Sequence, residues 1–222
     1  MLYLKGKPMK QSLLWLLPIL AVVALPAQTE ELGSLPNTIT IYTQFAHPPA
    51  AQSIDHMKAE LDAIMAALDL RFDWRLLEEA DGHQVMSELV VVRFRGACQA
   101  DSLPTMESKS GPLGWTHIAN GEVLPFVDVD CDRIRDLMAA PLIRAVPAER
   151  LRLLGRAMAR VTAHELFHFL TNTTKHSANG ITKAAYSASE LASASMRFDE
   201  AELNLVREGR LHLANPAQYG SR

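Results

Sequence analysis

His164-Glu165-Leu166-Phe167-His168 is an H-E-x-x-H pentapeptide, and a further histidine, His176, lies eight residues beyond its second histidine. Four residues are about one helical turn, so on a helix His164 and His168 project from the same face. Two imidazoles so placed can hold one Zn²⁺ through ring nitrogen. Glu165, between them, sits where it can take a proton from a water that the metal activates. That pattern points to zinc-dependent peptide hydrolysis, with Glu165 as general base.

Working outward, the helix carrying the pentapeptide starts near Pro147, Ala148 and Glu149, a proline and an acid suited to a first turn, and runs to about Leu170. Leu151, Leu154, Met158, Val161, Leu166, Phe167, Phe169 and Leu170 make it apolar nearly all round, which predicts a helix buried in the middle of the domain. Burying two histidines and a glutamate there is costly without a partner, and a metal ion is such a partner. Asn172 follows, one of the few residues that accepts the left-handed conformation of a helix stop. A catalytic zinc ion usually takes three protein ligands. His176 is the first choice for the third, and Glu190, on a second helix predicted over residues 185–194, is its competitor.

Upstream, residues 38–42 alternate like a half-buried strand, and His47-Pro48-Pro49 breaks it. Ile54, Met57, Leu61, Ile64, Met65 and Leu68 keep a helical period over residues 54–70. Residues 72–77 read as a second strand. Residues 89–94, a continuous apolar run, read as a strand covered on both faces. Trp115, Thr116, His117, Ile118 and Ala119 form one arm of a hairpin whose turn is Asn120-Gly121, both positions tolerating positive φ. Its return arm spans residues 123–129 and contains Pro125, which predicts a bulge or an outward-facing position. The expected fold is α/β (in finer terms α+β): a mixed, mostly parallel sheet with one antiparallel edge strand, packed on a long helix from the N-terminal half and on the buried motif helix.

The N-terminus reads as an export signal over residues 1–27. Lys5, Lys7 and Lys10 precede an apolar run at 13–25 that Pro18 interrupts, too short for a comfortable membrane span, and small residues reach to Ala27. Met9 offers a second start for the same signal. Cleavage after Ala27 leaves about 195 residues, 28–222, as one domain with a substantial core. It also removes three lysines, taking the formal charge from −3 to −6. No basic patch appears, so nucleic acid is not an expected partner. No cysteine lies near the cleavage region, so no lipid anchor on cysteine and no lasting membrane attachment are expected, and the mature chain is placed in the periplasm or outside the cell. Its two cysteines, Cys98 and Cys131, read most simply as one disulfide in an exported chain, with zinc ligation as the rival reading. His47, His56, His83, His117 and His212 fall in no ligand spacing, and no role is assigned to them.

The order strand, helix, strand, strand, hairpin and H-E-x-x-H helix with a downstream histidine resembles the metzincin clan of zinc metallopeptidases over roughly residues 38–200. In residue detail it rests on His164, Glu165, His168 and His176. The chain also resembles a group of small exported bacterial proteins with an H-E-x-x-H…T-T-x-H…G-[IV]-x-K stretch, here ending at Gly180-Ile181-Thr182-Lys183. The resemblance implies a zinc endopeptidase whose edge strand, here Trp115 to Ala119, pairs with an extended peptide substrate. It places the strands ending at Cys98 and Cys131 side by side, which favours the disulfide. The chain departs from the clan where a glycine and the third histidine are expected: Thr171 and Thr174 stand there, and His176 comes two residues late. Met196 is the only downstream methionine for a turn beneath the metal, and Tyr186 is a possible oxyanion partner; packing roles compete for both. Two alternatives stay open: a catalytically silent zinc-binding or interaction domain on the same scaffold, and a gluzincin-type peptidase using Glu190.

Overall fold

The computed structural model describes residues 37–82, 88–101 and 111–214; the signal region and His83 lie outside them, as does the side chain of His212. The elements run β1 (Thr38–His47), α1 (Ala51–Met65), β2 (Arg71–Leu76), β3 (Leu89–Ala97), β4 (Gly114–Ala119), β5 (Glu122–Asp130), α2 (Cys131–Leu137), α3 (Ala139–Arg144), α4 (Pro147–Thr171), α5 (Ala188–Ala192) and α6 (Glu200–Ala214). The strands form one five-stranded sheet in the order β2-β1-β3-β5-β4. All neighbours are parallel except the β4–β5 hairpin, which leaves β4 as an antiparallel edge. This is the expected α/β architecture.

Alternation along the strands divides the sheet into two faces. Ile39, Ile41, Val90, Val92, Phe94, Val127 and Val129 enter one core with Met57, Leu61, Ile64 and Met65 of α1 and the apolar positions of α4. Between Val127 and Val129, Asp128 turns to the other face. It is fully buried there and meets Arg93 at 2.9 Å, Arg95 at 2.6 Å and His117 at 2.5 Å. Burial alone would raise its carboxyl, but those hydrogen bonds outweigh it and hold the group below its ordinary range. His117 therefore belongs to this network on the sheet face opposite the core.

The hairpin turn has the left-handed backbone its residues predict, with φ 54° at Asn120 and 83° at Gly121. The β4–β5 register shifts between Thr116 and Ile118, which pair with Val127 and Val123, so Pro125 lies in a bulge as its missing N–H requires. Cys98, just after β3, and Cys131, at the start of α2, form a disulfide with a Cα–Cα distance of 4.9 Å. It joins the ends of two neighbouring parallel strands and removes the cysteines from any metal-binding role.

Three helices, α2, α3 and α6, have no counterpart in the sequence reading. The helix predicted over residues 185–194 is shorter, only Ala188–Ala192, because Ser187 caps it: its hydroxyl accepts the Glu190 amide, and the Glu190 carboxylate reaches back to the Ser187 amide. Among the described residues no helix is long and apolar enough to cross a membrane.

Candidate metal centre

Helix α4 is buried at almost every position from Leu153 to Leu170, and His164, Glu165 and His168 fall in its last two turns. Asn172 ends the helix with φ 46°, and its side-chain oxygen accepts the Val123 amide at 2.9 Å. The helix stop thus fastens the β4–β5 hairpin across the end of the helix. Between β4, the motif helix and residues 183–186 lies a cleft of about 540 Å³, and His164, Glu165, His168 and His176 all face it.

The two helix histidines are held by the same device. His164 donates its Nδ1 proton to the Ile181 carbonyl at 2.8 Å, and His168 donates its own to the Thr173 carbonyl at 2.7 Å. In a neutral ring this leaves the lone pair on Nε2. Burial lowers both imidazoles and so keeps them neutral, His164 down to about 4, although the Ile181 contact works the other way. Their Nε2 atoms are 3.0 Å apart. Two lone pairs facing each other at that distance repel unless a cation lies between them. Two nitrogens bound to one tetrahedral zinc at about 2.0–2.1 Å stand about 3.3 Å apart, so little movement would be needed.

His176 completes the group. Its ring centroid is 5.1 Å from that of His164 and 4.9 Å from that of His168, which are themselves 4.7 Å apart. One nitrogen from each lies within 4.8 Å of the others. Among the described residues this is the group of histidine, cysteine and acidic side chains whose donor atoms converge as a metal ion requires. Two histidines are buried and the third, exposed, closes the group from the loop side. The late position of His176 therefore does not keep it from the other two.

Glu165 is 5% exposed and accepts the Thr116 hydroxyl at 2.8 Å on Oε2. Burial raises its carboxyl to about 7, against the lowering effect of the Thr116 hydrogen bonds. The contact depends on how closely β4 approaches α4. At Gly114 a Cβ would lie 2.8 Å from Val161 and 3.1 Å from the Glu165 Cγ, so any side chain there would push the strand away.

The competitor ligand is committed elsewhere. Glu190 accepts from Lys183 at 2.5 Å and from the Ser187 amide and hydroxyl, each at 2.7 Å, and these donors, Lys183 first, hold it down at about 2. Tyr186 lines the cleft, its hydroxyl donating to the Ile181 carbonyl and standing 3.2 Å from His164 Nδ1. Burial, and then the nearby Glu165 charge, push its phenol up, so it stays protonated. Met196 is half-buried and packs against the core edge. His47 lies on β1 and His56 on α1, both outside the cleft.

Three residues around the site had no assigned role in the sequence: Thr116, Arg160 and Glu202. Arg160 had a local signal, a cation one turn before His164 in the buried half of the helix. Thr116 had none, because its partner is 49 residues away; Glu202 had only the local signal of a helix start shared with Asp199, and its partners in the turn are 20 and 25 residues away. A scan of the chain against protein-family models finds no match, and a search of curated proteins finds none.

Proposed function

We propose that the protein is an exported zinc-dependent endopeptidase of metzincin-like build, with His164, His168 and His176 as the ligands and Glu165 as the general base. The observation that carries this reading is the pair of neutral imidazoles whose Nε2 lone pairs face each other at 3.0 Å, with a third imidazole closing the triangle. Three imidazoles suit zinc better than calcium or magnesium, which take oxygen ligands. When bound, the ion would supply a Lewis acid that polarises the scissile carbonyl and brings the pKa of the attacking water toward neutrality. Glu165, facing the same cleft, would take the proton from that water and pass it to the leaving amine. Thr116 engages Oε2 and leaves Oε1 to carry the proton. The open edge of β4 would hold an extended substrate by main-chain hydrogen bonds. An N-terminal export signal and the Cys98–Cys131 bridge agree with a periplasmic or extracellular setting.

Metal analysis of the purified chain from residue 28 onward tests the reading. We expect one zinc per chain, lost in His176→Ala and kept in Glu190→Ala, together with cleavage of an unfolded protein or a peptide library. Full retention of zinc in His176→Ala would remove that ligand. A wild type that holds zinc and cleaves nothing would leave the silent zinc-binding domain. Thr116→Val should keep the zinc and lower kcat about 10- to 100-fold, the scale of one hydrogen bond to a charged group, while Thr116→Ser recovers most of it. Equal kcat in the valine and serine variants would deny the hydroxyl a role.

A further inference from the structure

We propose that Glu202, on α6, is a positioning residue for the metal centre: its carboxylate builds the turn that carries His176 and orients His164. The inference rests on the zinc reading of the three histidines.

Residues 177–182 form a closed turn. The Ser177 amide donates to the Thr182 carbonyl at 3.1 Å, and the Thr182 hydroxyl lies 2.7 Å from that of Ser177. Glu202, only 3% exposed, sits inside it. Its Oε1 takes the Thr182 hydroxyl, and the Thr182 amide and the Ser177 hydroxyl lie at 3.4 and 3.2 Å. Oε2 takes the Asp199 amide at 2.8 Å, which anchors the carboxylate to the start of its own helix. At Gly180, where φ is +75°, a Cβ would lie 3.3 Å from Oε2, so the turn is drawn close around this group. The Thr182 and Asp199 amides and the Thr182 hydroxyl are donors aimed at the carboxylate oxygens, while the Ser177 hydroxyl also has the Asn179 carbonyl within reach.

Both ends of the turn reach the metal centre. His176 immediately precedes Ser177. Ile181, fully buried and adjacent to Thr182, supplies the carbonyl that receives the His164 Nδ1 proton. The G-[IV]-x-K stretch beginning at Gly180 thus has a physical purpose: a glycine for the left-handed position, an aliphatic side chain to anchor in the core, and a carbonyl for the first ligand. It also accounts for the late third histidine, since the chain leaves α4 by a path set by α6 and returns His176 from there. Groups behind a metal ligand of this kind affect metal affinity by about 10- to 100-fold.

The test is titration of Zn²⁺ into the metal-stripped chain from residue 28 onward, comparing wild type, Glu202→Gln, and Glu200→Gln as an exposed control on the same helix. The imidazole N–H signals are followed by NMR without metal. The amide of Glu202→Gln places N–H groups where the Thr182 and Asp199 donors point. We expect its zinc dissociation constant to rise about 10- to 100-fold and the slowly exchanging His164 Nδ1–H signal to weaken, with Glu200→Gln unchanged. Unaltered affinity and an unaltered His164 signal in Glu202→Gln would overturn the proposal. Should Glu202→Gln fail to fold, Thr182→Val with Ser177→Ala removes the donors from the turn side and must show the same two changes, or the proposal fails. If wild type binds no zinc, the zinc reading fails by itself. The His164 signal then decides whether Glu202 orders the turn: retained in Glu202→Gln, it overturns that too.

Discussion

Glu165→Gln is expected to retain one zinc per chain and to lose peptide hydrolysis by about 10²- to 10⁴-fold, the range a positioned general base contributes. Glutamine keeps the shape and can still accept the Thr116 hydroxyl, so β4 stays against α4 and the imidazoles, held by the Ile181 and Thr173 carbonyls, are undisturbed. What it lacks is a basic oxygen. The metal-free proteins give a second readout. Burial raises Glu165 from 4.5 to about 7, so its contribution to stability is fully present below pH 4.5 and is lost as pH rises through about 7. Burial of His164 acts oppositely: its contribution is present above 6.5 and is lost as pH falls toward about 4. The histidines are common to both proteins, so the difference between wild type and Glu165→Gln isolates the carboxyl. Relative to the variant, wild type should become less stable from pH 4.5 to 7 in urea unfolding. A variant that hydrolyses peptides at wild-type rate would end the general-base assignment. Parallel stability curves would show that Glu165 does not titrate as a buried acid.

Those expectations draw on a site whose local parts could be read from the chain and whose framework could not. The helix, its stop at Asn172, the Asn120-Gly121 turn and the bulge at Pro125 each depend on a few neighbouring residues, where backbone preferences are strong. The parallel pairing of β3 follows from its apolar run, buried at each of Val90, Val91 and Val92. Helices α2, α3 and α6 escaped because their burial is supplied from afar. Cys131 is buried by the disulfide to Cys98, and Gly209 of α6 packs so close to the end of α4 that a Cβ there would collide with the Leu170 carbonyl. Glu190 shows the limit from the other side. Its spacing suited a ligand, yet a serine three residues upstream makes it half of a capping box. Thr116 could be placed on the edge strand but not against Glu165, since that contact depends on Gly114 letting strand and helix close together.

Arg160→Met is expected to be the most destabilising single change in the helix framework, about 3–5 kcal/mol, or roughly 6–20 °C in Tm for a domain of this size. Its side chain is fully buried in the middle of α4, one turn before His164. Nη1 donates to the Glu190 carbonyl at 2.7 Å, the Leu191 carbonyl at 3.1 Å and the Ser193 hydroxyl at 2.9 Å. Nη2 reaches the Ser193 carbonyl at 3.0 Å and Glu60 on α1 at 2.8 Å, and Nε takes Glu60 as well at 2.9 Å. One guanidinium therefore reinforces the end carbonyls of α5 and neutralises a carboxylate from α1. Methionine fills the volume but removes the whole fork, leaving the Glu190 carbonyl to the Ser193 amide and hydroxyl and the Ser193 carbonyl to Arg156. Arg156 and Arg197 stand 3.6 and 3.7 Å from Glu60 and would offset only part of the loss. Lysine should rescue poorly, because a single ammonium cannot span contacts that a planar fork spans. Arg160→Met combined with Glu60→Met should regain part of the stability, since it removes the stranded charge along with its partner. Loss of under about 1 kcal/mol in the single variant would mean that α1, α4 and α5 are held by packing alone. The residues at stake lie just upstream of α5: Lys183 to Tyr186 form one wall of the cleft, and they reach it from a helix whose end Arg160 secures.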